Sequence, residues 1–227
     1  VFSAIPLNPA LYRKVQAFRE HPAHGSLDPV EKRFVAETLK DFRDSGADRD
    51  DATRKRLQEI ESLLSEKTKK FSENVLDATN RYEKIVTSRE ELAGLPESFV
   101  EAARLDALRK GHGSEAAPAY RFTLQAPSFV PAIRFLDSDR LRRELMEAYS
   151  QIAHTPEFEN EPLIREIISL RNEKARLLGQ DLFPDWVLAR RMAKSGAKAL
   201  EFVEDLHGKT KEAFDRENEE LMRFKAE

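Results

Sequence analysis

The chain has 227 residues, with 38 Lys and Arg against 41 Asp and Glu, a formal net charge of −3, and 40% hydrophobic residues. This is enough chain to bury a core as one large domain or two small ones; it is too apolar for disorder and too balanced in charge for a nucleic-acid protein, which carries a basic excess. Cysteine is absent, which excludes disulfides, thiolate metal sites and a Cys nucleophile and fits a reducing, cytoplasmic setting.

The dominant period is helical. Asn8 and Pro9 open a first helix, with Asn as the cap and Pro at the first position, and Leu11, Val15 and Phe18 share one face. Asp28-Pro-Val-Glu31 has the form of a capping box. Behind it Val30, Phe34, Val35, Leu39 and Phe42 form an apolar stripe, and Gly46 stops the helix. Residues 51–82 contain neither Gly nor Pro, and Leu57, Ile60, Leu64, Phe71, Val75, Ala78, Tyr82 and Ile85 recur at spacings of three, four or seven. Roughly 30 residues make a rod of about 45 Å, whose single stripe needs other helices to cover it. If Phe71 lies in the core, Phe71→Ala should cost about 3–5 kcal/mol.

Residues 88–94 read as one helical turn ending at Gly94, and a further helix runs from Leu95-Pro96-Glu97 to Gly111. The Gly-rich stretch 111–119 is a loop and a point of subdivision. Residues 120–124 alternate and are rich in β-formers, and 84–87 are a weaker strand; the two are placed to pair as a small antiparallel ribbon. The stretch that follows, up to Pro131, reads as a Pro-flanked turn. Helical periodicity returns at Ser138, with Leu141, Leu145, Tyr149 and Ile152 on one face. Residues 154–162 form a polar loop. Helices follow over 163–178, closed by Gly179, and over 186–193. Ser195 caps a last helix carrying Leu200, Val203, Thr210, Phe214, Leu221 and Phe224, still in register at Glu227. The expected fold class is mainly α, a multi-helix lobe with a long helix and a small antiparallel β-ribbon. The longest charge-free stretches, 1–12 and 122–133, are twelve residues each, short of the about 20 that span a bilayer, so no membrane association is expected. No basic-then-apolar leader opens the chain. Residue 1 is Val, the first Met is Met146, and the last helix has no stop signal, so the chain is expected to be a fragment.

A catalytic constellation is hard to assemble. The five histidines are His21, His24, His112, His154 and His207, and none is followed by Glu, so none opens a His-Glu-x-x-His zinc motif. His21 and His24 read as solvated loop residues, His112 as part of an exposed loop between two glycines, and His207 as an interface residue near Val203 and Thr210. Gly111-His-Gly113 lacks the Lys and helix of a phosphate loop, and there is no Gly-x-Ser-x-Gly elbow. The runs around Arg140, Arg142 and Arg143, and around Lys67, Lys69 and Lys70, are balanced by nearby acids and read as solvated helix faces. From these residues the sites are none: no catalytic, cofactor or metal residue is assigned on this chain.

Six stretches taken together resemble the oligopeptidase A and thimet oligopeptidase family. They are Asn-Val-Leu-Asp-Ala-Thr at 74–79, Leu-Ala-Gly-Leu-Pro-Glu-Ser at 92–98, Thr-Leu-Gln-Ala-Pro-Ser-Phe-Val-Pro at 123–131, Leu-Arg-Arg-Glu-Leu-Met-Glu-Ala-Tyr at 141–149, Ile-Ile-Ser-Leu-Arg-Asn-Glu-Lys-Ala-Arg-Leu-Leu-Gly at 167–179 and Leu-Ala-Arg-Arg-Met-Ala at 188–193. The resemblance runs from about Asn8 onward and is to the N-terminal part of that family. One departure is Gln180, where the family tends to place an aromatic; Phe183 and Trp186 stand further on. The resemblance implies a mostly helical zinc metallopeptidase of two lobes around a channel that admits short peptides. Its zinc motif lies downstream of the matched region, so no zinc or catalytic residue carries over. Zinc would activate water in the missing C-terminal catalytic half, and this lobe would form a channel wall with the helix at 51–82 as a spine, or with that helix only packing the core. The chain alone is expected neither to hydrolyse peptides nor to bind zinc tightly. Two alternatives stay open: a stand-alone helical interaction module that holds a partner helix in a groove, and a natural shortened product.

Overall fold

Local capping chemistry sets where the helices begin. In a computed structural model, which describes residues 5–226, the Asn8 side chain accepts from the N–H groups of Ala10 and Leu11 at the head of α1 (Pro9–Glu20). A one-turn α2 (Pro22–Gly25) follows. At α3 (Pro29–Ser45), Asp28 accepts from the Glu31 N–H while the Glu31 carboxylate reaches back to the Asp28 N–H, the reciprocal box that the sequence indicates. Gly46, at φ +96°, closes α3 in the left-handed region. A Cβ there would sit 2.4 Å from Leu57 Cδ1, so space as well as conformation calls for glycine.

The remaining elements are α4 (Asp51–Arg81), β1 (Lys84–Val86), a 3-10 turn (Glu90–Leu92), α5 (Glu97–Arg109), β2 (Tyr120–Phe122), α6 (Ala126–Phe135), α7 (Asp139–Ser150), α8 (Glu161–Leu177), α9 (Phe183–Leu188) and α10 (Gly196–Ala226). The described residues thus form ten α-helices and one two-stranded antiparallel sheet, in register Lys84–Phe122, Ile85–Arg121 and Val86–Tyr120. The fold is mainly α with a small ribbon, as the periodicity indicates.

Two compact units divide the chain: Val1–Leu64 with Ile168–Glu227, and Ser65–Ile167. The loop at 111–119 lies inside the second. In the first unit, Val35, Leu39, Phe42, Ala47, Leu57, Ile60, Ala175 and Leu178 are buried. Polar pins cross it: Arg56 grips both Glu173 oxygens at 2.6 and 2.9 Å, Arg49 donates to the Leu178 carbonyl at 2.7 Å, and Trp186 Nε1 donates to the Asp44 carbonyl at 3.1 Å. Phe183 and Trp186, the aromatics beyond Gln180, lie 5.6 Å apart, with Arg171 over the first ring and Lys174 over the second.

The second unit is centred on Val86, Leu92, Leu95, Val100, Ala103, Tyr120, Phe122, Leu124, Phe129, Ala132, Leu136, Leu141 and Leu145. Phe129 of α6 stacks on Tyr149 of α7 at 4.3 Å. In the same unit Asn74 and Asn160, both buried, share a side-chain hydrogen bond.

Three expectations need correction. The Pro-flanked turn after residue 124 is a helix, α6, with Pro131 inside it. Pro131 and Ala132 are buried, and core packing there outweighs the missing proline N–H. The short helix placed at 186–193 instead spans Phe183–Leu188 with Pro184 in its first turn, the start signal that the 186–193 boundary overlooked. The stripes are also narrower than the periodicity suggests. Val30 and Phe34 of α3 are 75% and 72% exposed, Ile164 and Ile168 of α8 and Tyr149 of α7 are exposed, and Phe71 is only half-buried. Periodicity marks a face without saying how much of it a neighbour covers.

Candidate functional site

A cavity of about 500 Å³ opens in the second unit, within the size range of small-ligand sites. The end of α4 supplies Thr79 and Asn80; α5 and the residue after it supply Phe99, Ala102, Ala103, Asp106, Arg109 and Lys110. Arg121, Phe122 and Thr123 come from β2 and its exit, and Gln125, Pro127, Ser128 and Pro131 from the start of α6. Buried Leu95, Ala103, Phe122 and Pro131 give it an apolar wall, to which half-exposed Phe99 adds.

Its polar side is set by strand register. Because Ile85 pairs with Arg121, the Arg121 guanidinium reaches both Glu83 at 2.7 Å and Asp106 at 2.5 Å. The Arg121 guanidinium holds the Glu83 carboxyl below the usual carboxylate range, and His112 Nε2 stands 3.4 Å from the same group. Asp106 is shared, since its other oxygen is 3.4 Å from Arg109. Lys110, exposed at the end of α5, has no ion pair among the described residues. Arg109, Lys110 and Arg121 therefore face only Glu83 and Asp106, leaving one positive charge in excess when His112 is neutral. Also in the lining, Gln125 Nε2 donates to Asn80 Oδ1 at 2.6 Å. None of these residues stands out in the sequence. The only cue is Arg109-Lys110 before Gly111, and the pairing with Arg121 depends on the ribbon.

No histidine lines this cavity. His21 caps the short α2 by accepting from the Ala23 N–H, and His24 packs edge-on against Phe18. His207 is exposed on α10. His154 lies close to Glu159 and Glu161, with one ligand atom of each within 4.8 Å of the others, a grouping the sequence reading did not make. His154 and Glu161 are exposed. Glu159 already accepts from the Glu161 N–H, and Glu161 is paired with Arg165. A hydrolytic zinc is held in a shaped and shielded site, which this surface group does not provide.

The profile of Peptidase family M3 matches residues 135–227. Oligopeptidase A of Haemophilus influenzae is 34% identical over 219 residues, 94% of this chain and 31% of that protein. This chain is similar to part of the family M3 oligopeptidases. Organellar oligopeptidase A, chloroplastic/mitochondrial, of Arabidopsis thaliana is 35% identical over 216 residues, 94% of this chain and 27% of that protein. The thimet-like oligopeptidase of Dictyostelium discoideum is 28% identical over 181 residues, 78% of this chain and 24% of that protein. The chain thus spans about a third or less of the length of these M3 relatives. The residues matched by the M3 profile begin at Phe135 and take in α7 to α10, leaving the cavity, whose last lining residue is Pro131, outside them. Among the described residues no helix is long and apolar enough to cross a membrane.

Proposed function

We propose that this chain is the N-terminal, non-catalytic helical part of a zinc-dependent oligopeptidase and forms one wall of its peptide channel. The observation that carries this reading is the uncovered face of α10. Leu200, Val203, Phe214, Leu221 and Phe224 recur at helical spacing, and each is between 58% and 78% exposed. An apolar stripe of this length in water needs a partner surface, and the M3 relatives have about twice as much chain again to supply one.

In this reading the catalytic half packs on α10 and holds the metal. The residues of this chain do not fit that metal, so no step of hydrolysis is assigned to them. Their contribution is steric: a helical wall that excludes bulk water and selects short, unfolded peptides. The absence of cysteine is in keeping with a cytoplasmic location.

A groove between α1 and α3 supports a second reading, a helical interaction module. Val15, Phe18, Leu27, Val30, Phe34 and Val35 line about 670 Å³ there, room for the apolar face of a partner helix. Sequencing the source transcript beyond the codon for residue 227 separates the two. An open frame encoding His-Glu-x-x-His, with chelator-sensitive cleavage of short peptides by the long product and none by the 227-residue chain, supports the peptidase reading. A stop codon within a few residues sinks it and leaves the interaction module.

A further inference from the structure

We propose that the cavity of the second unit binds the C-terminal end of a short peptide, with an apolar side chain against Leu95, Phe99, Phe122 and Pro131 and the free carboxylate at Arg109 and Lys110.

The charge arrangement selects the ligand. Arg121 is committed: its side chain is only 11% exposed and is held by two carboxylates. Asp106 divides its oxygens between Arg121 and Arg109, and the Arg109 contact is the longer at 3.4 Å. Lys110 has no described partner. The uncompensated charge at the cavity is therefore one, and it resides on Arg109 and Lys110, the pair that solvent reaches. A monoanion balances it, whereas a phosphate dianion would be left undercompensated. An arginine and a lysine side by side also offer several N–H donors to the two oxygens of a carboxylate.

The rest of the lining asks for more than a small ion. The apolar wall gains only from a ligand that carries a hydrophobic side chain. In the same lining, the Gln125–Asn80 hydrogen bond uses one donor and one acceptor, leaving the Asn80 amide N–H groups and the Gln125 carbonyl without a described side-chain partner. Those are an exposed donor and acceptor pair of the kind a peptide unit matches. The single negative charge follows from the charge count and the carboxylate from the donor set; the choice of a peptide as its source also rests on the oligopeptidase reading.

The test is a titration of the 227-residue chain with N-acetyl-Ala-Leu-Phe as the free acid and as the C-terminal amide, followed by backbone amide shifts in heteronuclear NMR. The free acid should saturate, with the largest shifts at Lys110, Arg121, Thr123 and Gln125. The amide should bind about fivefold or more weakly, as expected for losing one partly exposed charge interaction. Lys110→Glu should weaken the acid by a similar factor and leave the amide unchanged. Lys55→Glu, an exposed site in the first unit, should change neither. Lys110 is itself exposed, so its substitution spares the core. Equal affinity for acid and amide, shifts centred elsewhere, or no saturation by about 10 mM would overturn the proposal. 4-Phenylbutyrate binding as tightly as the tripeptide acid would overturn the peptide as occupant. Hydrolysis by the longer protein does not enter these affinities, so the two readings fail separately.

Discussion

Asn74 Nδ2 donates to Asn160 Oδ1 at 2.9 Å across 86 residues of chain, with the two side chains 3% and 4% exposed. Asn160 also donates to the Phe71 carbonyl at 3.1 Å, so one buried amide ties the residue before α8 to the C-terminal half of α4. Truncating it leaves Asn74 without that acceptor, away from water. Asn160→Ala should destabilise the protein by about 2–3 kcal/mol in urea denaturation. A loss under about 1 kcal/mol would show that water replaces the pair at little cost.

Burial separates two residues of the long helix that share one periodic stripe. Ile60 is fully buried, whereas Phe71 is only half-buried. Ile60→Ala should cost about 2–5 kcal/mol. Phe71→Ala should fall short of the about 3–5 kcal/mol of a core phenylalanine, correcting the value expected from periodicity. Chemical denaturation of both variants checks the order, and Phe71→Ala proving the more damaging would contradict the burial pattern.

Two glycines at φ +83° distinguish conformation from space. At Gly94 a Cβ would sit 2.2 Å from the Phe135 carbonyl oxygen, whereas at Gly111 it meets nothing within 4 Å. Gly111→Ala should carry only the left-handed penalty of about 1–2 kcal/mol. Gly94→Ala adds a clash with backbone and should cost about 2–4 kcal/mol. Thermal melts of the pair read the difference directly, and equal losses would mean that the chain near Phe135 moves aside.

The Arg56–Glu173 pair gives a pH signature. The hydrogen bond from Arg56 holds the Glu173 carboxyl below the usual carboxylate range. A carboxyl whose folded-state value is lowered adds stability above its unfolded titration and loses it as pH falls through the lower, folded one. The stability difference between wild type and Glu173→Gln should therefore be flat at neutral pH and shrink in acid, below the ordinary carboxylate titration. Denaturant midpoints across that range test it, and a difference that grows on acidification would reverse the assignment.

What the sequence by itself determined is local chemistry. The caps at Asn8, Asp28 and Ser195 act over two or three residues. The stops at Gly46 and Gly179 both take a positive φ, and the long helix at 51–82 needs only a run without Gly or Pro. The alternation at 120–124 was enough to place the ribbon. Tertiary structure decided what depends on neighbours. It made a helix through Pro131 because Phe129 and Ala132 are buried against the core, and it left Val30 and Phe34 in water although they share a stripe with buried Leu39. The ribbon's register brought Arg121 to Asp106 and Glu83, and Lys110 has no ion pair among the described residues. Periodicity names a face, but only packing says which part of it is covered, and a charge has a partner only where the fold delivers one.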